Sequence, residues 1–226
     1  MPPAHTDLVS LEFRRWSQFR QQRTPHAGAR GKVIALSATY GSQGDTVARR
    51  AAELLGFTYW DRDIVRDIAK AAKVDRTLVD AVEAYQFQAV SELLGLFSTK
   101  KELPGAAYLQ RLAEVIALIA ANGEAVIMGR AANELLGPAR ALRVHVDAPL
   151  PLRVQRFAER ERVEEPEARS RVLAEDARRE RWLREMTGKA PTDFSGYDLV
   201  LSTQTLTIEQ AAAVVAAAWR ATNPAP

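Results

Sequence analysis

The sequence predicts an α/β protein with three layers, in which a central parallel sheet is flanked by helices. Short apolar runs of strand length alternate along the chain with longer segments of helical periodicity, and this alternation is typical of parallel sheets covered on both faces. A glycine-bearing turn, SATYGSQGDTVARR at 37–50, joins the first such run to the first helical segment. Because parallel sheets bind ligands beyond the carboxyl ends of their strands, we expect a binding site at this turn.

The composition is that of an ordinary globular protein of 226 residues, with 47% hydrophobic and 26% charged residues. A chain of this length can form one domain with an inserted subdomain. The absence of cysteine excludes disulfides and thiolate chemistry and is compatible with a reducing compartment. No apolar run approaches the roughly 18 residues of a membrane span, and the N-terminus lacks the apolar core of a secretory signal. We therefore expect a cytoplasmic protein without a membrane span.

The formal net charge is +3, from 31 Lys and Arg residues against 28 Asp and Glu residues. Basic residues are mixed with acidic ones, whereas a nucleic-acid-binding protein should show a clearer basic face. Most of the basic residues are arginines, whose planar guanidinium can hold two phosphate oxygens at once. The charge pattern therefore favours small nucleotide ligands, and we expect no nucleic-acid partner.

The predicted elements divide the chain into an N-terminal segment and one domain. Residues 8–22 have the spacing of an amphipathic helix, so 1–30 is assigned to this helix and a polar linker. We favour packing of that helix on the domain over a subunit contact or a membrane surface. The domain covers 31–222, with a mostly helical insertion at 62–122. Strands are predicted at 32–38, 124–132, 141–149 and 197–203, with a short extended piece within 58–65. Helices are predicted at 45–57, 150–163 and 207–220, and a charged helical region that follows the second of them runs to Gly188.

The turn after the first strand resembles a phosphate loop that lacks its lysine. Small residues let backbone N–H groups turn inward, and the helix N-terminus that follows favours an anion. The lysine of the usual pattern G-x-x-x-x-G-K-[ST] is absent here. The alternative is a plain strand-to-helix turn in which Asp45 and Thr46 cap the helix. If phosphate binds, a Mg²⁺ ion held jointly by Asp45 or Thr46 and the phosphate would offset the repulsion by the carboxylate.

Other candidate residues lie later in the chain. Arg130 ends a predicted strand and would face the ligand crevice, or form a surface ion pair. Asp176 and Arg179 share a helical face, so they indicate either a site or a solvated ion pair. Asp61 would bind a substrate hydroxyl or metal-bound water, or cap the next helix. Three arginines at helical spacing could converge on one side: Arg153, Arg156 and Arg160. His145, inside a strand, is predicted to be a packed core histidine.

Five segments, in order, carry a family resemblance: 34–65, AVIMGRAANELLG at 125–137, 142–160, DARRERWLREMTG at 176–188, and 197–212. Together they resemble the cytidylate kinase-like family, whose members are nucleoside monophosphate kinases with a P-loop fold. The resemblance extends from about residue 31 to 219. It implies a P-loop kinase-like fold in which 62–122 is the monophosphate-binding insertion and 158–190 is the lid region.

The resemblance also implies roles for individual residues. The loop that would hold the ATP phosphates comprises Tyr40, Gly41, Ser42, Gln43, Gly44, Asp45 and Thr46. Asp61 matches an aspartate near the monophosphate site, and Arg130 matches the arginine that contacts the acceptor phosphate. Asp176 and Arg179 match the Asp-x-x-Arg of the lid. This sequence departs from the family pattern at Gln43, where glycine is usual, and at Ala38, where arginine is usual.

The function expected from these features is ATP-dependent transfer of a phosphoryl group to a nucleoside monophosphate, with CMP or dCMP as the first candidate. ATP and Mg²⁺ would be the cofactors, and Arg156, Arg160 and Arg179 would neutralise charge in the transition state. The alternative is a nucleotide-binding sensor of the same fold that has lost catalysis. Gln43, Asp45 and the missing lysine favour that alternative, whereas the retained Arg179 opposes it. A non-nucleotide acceptor is a third interpretation.

Overall fold

The computed structural model describes residues 33–61, 63, 112–113, 115–117, 119–121, 123–190 and 193–223. The predicted N-terminal helix and linker at 1–30 lie outside the described residues, as does most of the predicted insertion at 62–122. The described residues of 112–121 are helical.

Five parallel strands form the central sheet. They are β1 (Val33–Ala38), β2 (Thr58–Trp60), β3 (Ala125–Met128), β4 (Ala141–Asp147) and β5 (Leu199–Ser202). Their order is β2-β3-β1-β4-β5, and every neighbouring pair is parallel. The predicted strands are thereby confirmed. Because β1 lies at the centre, the loop that follows it is placed between the ends of β3 and β4.

Helices cover both faces of this sheet. They are α1 (Gly44–Leu55), α2 (Ala132–Arg140), α3 (Leu150–Glu161), α4 (Glu165–Thr187) and α5 (Ile208–Thr222). Two glycines in the left-handed conformation, Gly56 and Gly188, end α1 and α4. Pro151 lies in the first turn of α3. A capping box between Thr207 and Gln210 begins α5.

The helix α2 was not expected from the sequence. Glycine and proline occupy its second half, and Gly137 has non-helical dihedral angles immediately before Pro138. The helix follows two residues in the left-handed region, Arg130 and Ala131. A short segment with such internal breaks has too little uninterrupted helical periodicity to be recognised from sequence.

The core has one layer on each side of β1. Ile34 and Leu36 are buried on one face, in a cluster with residues of α1 and α5 such as Val47 and Val215. Val33 and Ala35 belong to the cluster on the other face, together with Leu135 of α2. Burial of each large aliphatic side chain stabilises the fold by about 1.5–3 kcal/mol. The α/β architecture with helices on both faces is therefore confirmed.

The helices α3 and α4 form a hairpin that corresponds to much of the predicted lid region. Their own small core contains Val154 and Phe157 of α3 with Ala168 and Val172 of α4. A cleft of about 440 Å³ is lined by residues that include Tyr40, Phe157, Glu161, Arg171, Glu175 and Arg178. Among the described helices, none combines the length and apolarity needed to cross a bilayer.

Candidate nucleotide-binding site

The loop after β1 is held in place by the side chain of Ser42. This side chain is fully buried, and its hydroxyl has acceptors at Thr39 O (2.8 Å) and Val146 O (3.1 Å). Gly41 has φ +83°, and Gln43 lies in the left-handed region with φ 63° and ψ 21°. The loop is therefore fixed over the ends of β1 and β4, and the residues on each side of Ser42 have positive φ.

Two glycines of the loop are required by close backbone approaches. A Cβ atom on Gly41 would lie 3.0 Å from the carbonyl oxygen and 3.1 Å from the Cβ atom of Arg153. A Cβ atom on Gly44 would overlap the Cβ atom of Ala38. Close packing of this kind lets the loop lie against both β1 and α3, which brings the arginines of α3 to the loop.

The alternative in which Asp45 and Thr46 cap α1 is wrong. The helix begins at Gly44, its N-cap residue is Gln43, and no side chain provides a cap hydrogen bond. Asp45 and Thr46 instead lie in the first turn and are exposed. The positive end of the helix dipole therefore faces this turn, as an anion-binding site requires.

The same turn offers oxygen ligands for a metal. Within the described part of the chain, no group of three or more His, Cys, Asp or Glu side chains is placed to hold an ion. Mg²⁺ in phosphate sites needs only one or two protein ligands, because substrate oxygens and water supply the rest. The Asp45 carboxylate and the Thr46 hydroxyl are exposed at the helix start and fit that requirement.

Arg153 connects the loop to both helices of the hairpin. It is 8% exposed, and its Nε donates to Ala148 O at 2.9 Å. Its Nη1 donates to Tyr40 O (3.0 Å) and to Asp176 Oδ2 (2.5 Å). Asp176 Oδ1 in turn accepts from Tyr40 N at 3.1 Å. Asp176 is thus bonded to the loop backbone and to Arg153, whereas the sequence placed it with Arg179 on one helical face.

Arg156 reaches the loop through Thr203, a residue that the sequence analysis missed. Its guanidinium donates to Thr203 Oγ1 (2.9 Å) and Thr203 O (2.8 Å), and Thr203 Oγ1 donates to Ser42 O at 2.8 Å. This chain of bonds joins α3, the turn after β5 and the loop after β1. A single threonine in a polar turn has no distinctive spacing, so no sequence signal could have singled it out.

Arg160 and Arg179 lie beside Tyr40. The guanidinium carbon of Arg179 is 4.8 Å from the centroid of the Tyr40 ring, and that of Arg160 is 6.0 Å away. Arg179 also donates to Ala38 O at 3.3 Å and to Glu175 at 2.8 Å. The structure therefore brings Arg160, Arg179 and the loop together at Tyr40, whereas the convergence suggested by helical spacing concerned Arg153, Arg156 and Arg160.

Carboxylates share these guanidinium groups. Hydrogen bonding from Arg178, followed by that from Arg179, lowers the pKa of Glu175 to about 2, against the opposing effect of burial. Glu161 lies 2.8 Å from Arg160, and this hydrogen bond raises the pKa of the guanidinium. A phosphate that binds here would compete with these carboxylates for the same donors.

Arg130 and Asp61 lie on the β3 side of the loop. Arg130 Nη2 is 3.6 Å from Asp63 Oδ1, and its guanidinium carbon is 5.8 Å from the ring centroid of Trp182 on α4. Asp61 Oδ1 accepts from Asp63 N at 2.7 Å. This local bond supports the capping interpretation of Asp61 and places Asp61 next to the partner of Arg130.

His145 is a packed histidine, as predicted. It is 4% exposed, its Nδ1 lies 2.8 Å from Ser37 Oγ, and that hydroxyl also donates to Tyr197 Oη at 2.9 Å. Burial lowers the pKa of His145, and the charge of Asp147 partly opposes this effect. We therefore assign His145 a role in the fold.

Comparison with known proteins identifies the family of this chain. A sequence model of the cytidylate kinase-like family matches residues 33–205. The chain is 30% identical over 196 residues to a cytidylate kinase of Methanopyrus kandleri, and the aligned region covers 82% of this chain and 92% of that protein. It is 24% identical over 179 residues to a cytidylate kinase of Staphylothermus marinus, with 79% and 90% covered.

A solved structure shows the same fold. An uncharacterized protein from Eubacterium ventriosum superposes with a TM-score of 0.66 at 18% identity, over 85% of this chain and 99% of that one. The family match spans the phosphate loop, the α3–α4 hairpin and β5, so the resemblance carried by the five sequence segments is confirmed. The chain has the P-loop kinase fold and belongs to the cytidylate kinase-like family.

Proposed function

We propose that this protein is an ATP-dependent nucleotide kinase that transfers the γ-phosphoryl group of ATP to a nucleoside monophosphate, with CMP or dCMP as acceptor. The observation that carries the proposal is the meeting of a phosphate-type loop with Arg160 and Arg179 at Tyr40. Family membership supports a nucleotide kinase. The names of the two relatives support a cytidine nucleotide.

The loop would bind the donor phosphates through its backbone. Gly41 and Gly44 allow the close packing of the loop, and the N-terminus of α1 favours an anion. Asp45 and Thr46 would hold the Mg²⁺ ion, which supplies charge neutralisation between the phosphates when bound. These are the groups that phosphoryl transfer requires, because its catalysis consists mainly of positioning and electrostatic stabilisation.

The arginines would take over the work of the absent lysine. A guanidinium group can hold two phosphoryl oxygens at once, whereas an ammonium group acts as a point charge. Arg160 and Arg179 come from the two helices of the hairpin, so a movement of that hairpin towards the loop would deliver both cations. Closure of this kind would also exclude water from the reacting phosphate.

Arg130 would position the acceptor phosphate, with Asp61 nearby. Arg130 follows β3, which pairs with β1 in parallel register, and it lies at the edge of the sheet where the loop begins. Asp63 and Trp182 hold its guanidinium by an ion pair and a ring contact. We assign no side chain as general base.

The decisive experiment is a substrate screen with the full chain. The purified protein is incubated with ATP and Mg²⁺ together with one monophosphate at a time, and ADP and the matching diphosphate are measured. We expect the highest kcat/KM with CMP or dCMP. A reaction without monophosphate measures background ATP hydrolysis. If labelled ATP binds but no monophosphate yields a diphosphate, the kinase proposal fails and the sensor alternative replaces it.

A further inference from the structure

We propose that the ring of Tyr40 is a positioning platform that holds Arg160 and Arg179 beside the phosphate loop. This inference rests on the proposed function, in which these two arginines neutralise the transferred phosphoryl group. It gives the Tyr40 side chain a task separate from that of the loop backbone. Tyr40 is a positioning residue here, because it acts through the two arginines.

The contacts of the ring carry the inference. The Tyr40 ring centroid is 4.8 Å from the guanidinium carbon of Arg179 and 6.0 Å from that of Arg160. Arg160 Nη2 also donates to the Tyr40 hydroxyl at 3.4 Å. The two cations come from different helices of the hairpin, α3 and α4. One ring of the phosphate loop therefore touches a cation from each helix.

The position of the ring is fixed from both sides. Asp176 of α4 accepts from Tyr40 N at 3.1 Å, and Arg153 of α3 donates to Tyr40 O at 3.0 Å. The ring packs against Phe157, with centroids 5.7 Å apart. Because the backbone and ring are both constrained, the ring can act as a reference surface for long, flexible side chains.

An aromatic ring suits this task better than a carboxylate does. Arg160 and Arg179 are each paired with a carboxylate, of Glu161 and Glu175 respectively. A carboxylate neutralises the cation that it orients, whereas a ring face attracts the cation through its quadrupole and leaves the net charge available. When a phosphate displaces the carboxylates, the ring contacts can persist and keep both guanidiniums near the loop.

The test compares two substitutions of Tyr40 with a matched control. Tyr40→Phe keeps the ring and removes the hydroxyl, while Tyr40→Leu removes the ring. Tyr59→Leu is the control, since Arg49 lies 4.4 Å from the ring centroid of Tyr59, in a tyrosine–arginine contact between α1 and β2. Circular dichroism and urea unfolding establish that each variant is folded before it is assayed.

The first readout is independent of activity. In the free protein, NMR should show upfield ring-current shifts of the side-chain δ-protons of Arg160 and Arg179, assigned with the substitutions Arg160→Lys and Arg179→Lys. We expect the Arg179 shifts to persist in Tyr40→Phe and to disappear in Tyr40→Leu. The Arg160 shifts should fall only in part in Tyr40→Leu, because the guanidinium carbon of Arg160 is also 5.3 Å from the ring centroid of Phe157. The platform is overturned if the wild-type protein shows no such shifts, or if the shifts of Arg179 or the full shifts of Arg160 remain in Tyr40→Leu.

The second readout is a split between kcat and KM. We expect Tyr40→Phe to keep kcat within about threefold of wild type, and Tyr40→Leu to lower it about tenfold or more, with the KM for ATP little changed. Tyr59→Leu should leave kcat within about twofold. Equal losses in Tyr40→Phe and Tyr40→Leu would assign the effect to the hydroxyl and contradict the platform. If the wild-type protein phosphorylates no monophosphate, the proposed function fails, and the NMR shifts still decide whether the ring holds the arginines.

Discussion

Arg153 and Asp176 form an ion pair that joins α3 to α4 beside the loop after β1. Arg153 Nη1 lies 2.5 Å from Asp176 Oδ2, with the two side chains only 10% and 28% exposed. Each partner also bonds to the backbone of Tyr40. Because this pair bonds to both the N–H and the carbonyl oxygen of one loop residue, it fixes the position of the loop relative to the hairpin.

Removal of Asp176 should destabilise the fold. Asp176→Ala would leave the guanidinium of Arg153 largely buried without its counter-charge. Because solvent reaches the site in part and screens the charge, we expect a moderate loss of about 2 kcal/mol in the free energy of unfolding. Urea denaturation followed by circular dichroism measures this loss. Glu180→Ala, which breaks the exposed Glu180–Arg184 pair on the same helix, should cost less than about 0.5 kcal/mol. Equal losses in the two variants would contradict the structural role of the buried pair.

The sequence predicts the sheet better than it predicts these contacts. The strands could be recognised because each is a short apolar run between turn residues, as in β1 and β3. The pairing of Asp176 could not be recognised, because sequence spacing reveals neighbours three or four positions apart in a helix, and Arg153 lies on another helix. Helical spacing indicated that three arginines of one helix could converge, but it could not indicate that Arg160 meets Arg179 at Tyr40, because that contact depends on how α3 and α4 pack.

The glycine at position 41 should be far less replaceable than the glycine that ends α1. Both have positive φ, so an added Cβ strains the backbone by about 1–2 kcal/mol in either place. At Gly41 that Cβ would also press on the backbone of Arg153, whereas at Gly56 it would meet no atom within 4 Å. We expect Gly41→Ala to lower the free energy of unfolding by about 1 kcal/mol more than Gly56→Ala does. Similar losses in urea denaturation would show that α3 does not pack this closely on the loop.

Arg130 should affect the acceptor and not the donor. Arg130→Ala would remove a guanidinium fork from the acceptor phosphate, and we expect the KM for the monophosphate to rise about tenfold or more. The dissociation constant for ATP, measured by calorimetry, should stay within about twofold. Arg130→Lys keeps the charge without the planar guanidinium group, so its KM for the monophosphate should lie between those of the wild-type protein and Arg130→Ala. Equal weakening of donor and acceptor would show that the role of Arg130 has been misassigned.

Asp45 should set the requirement for Mg²⁺. If its carboxylate helps to hold the ion, Asp45→Asn should raise the Mg²⁺ concentration for half-maximal activity by about tenfold, since one anionic ligand is lost. Glu53→Gln is the control, because Glu53 lies near the other end of α1 in an exposed pair with Arg50. An Asp45→Asn variant with higher activity at unchanged Mg²⁺ dependence would show that the carboxylate only repels the phosphates.

The buried His145 should make stability fall as the solution becomes acidic. Burial holds the pKa of His145 below its usual range, with Asp147 opposing in part, so the unfolded chain takes up a proton below about pH 6.5 that the folded protein resists. The contribution of His145 to the free energy of unfolding is therefore present at neutral pH and is lost as the pH falls. Between pH 7.5 and 5.5 the loss from one such histidine can reach at most about 1.4 kcal/mol.

The substitution His145→Gln isolates this contribution. Glutamine cannot titrate, so the variant should lose less stability than the wild-type protein between pH 7.5 and 5.5, whatever the change in its stability at pH 7.5. Urea denaturation at several pH values gives the two slopes. Glu175 does not interfere, because its pKa is lowered to about 2 and its contribution is lost only below about pH 4.5. Identical slopes in the two proteins would show that His145 takes up its proton equally readily in the folded and unfolded states, in spite of its burial beside Ser37 and Tyr197.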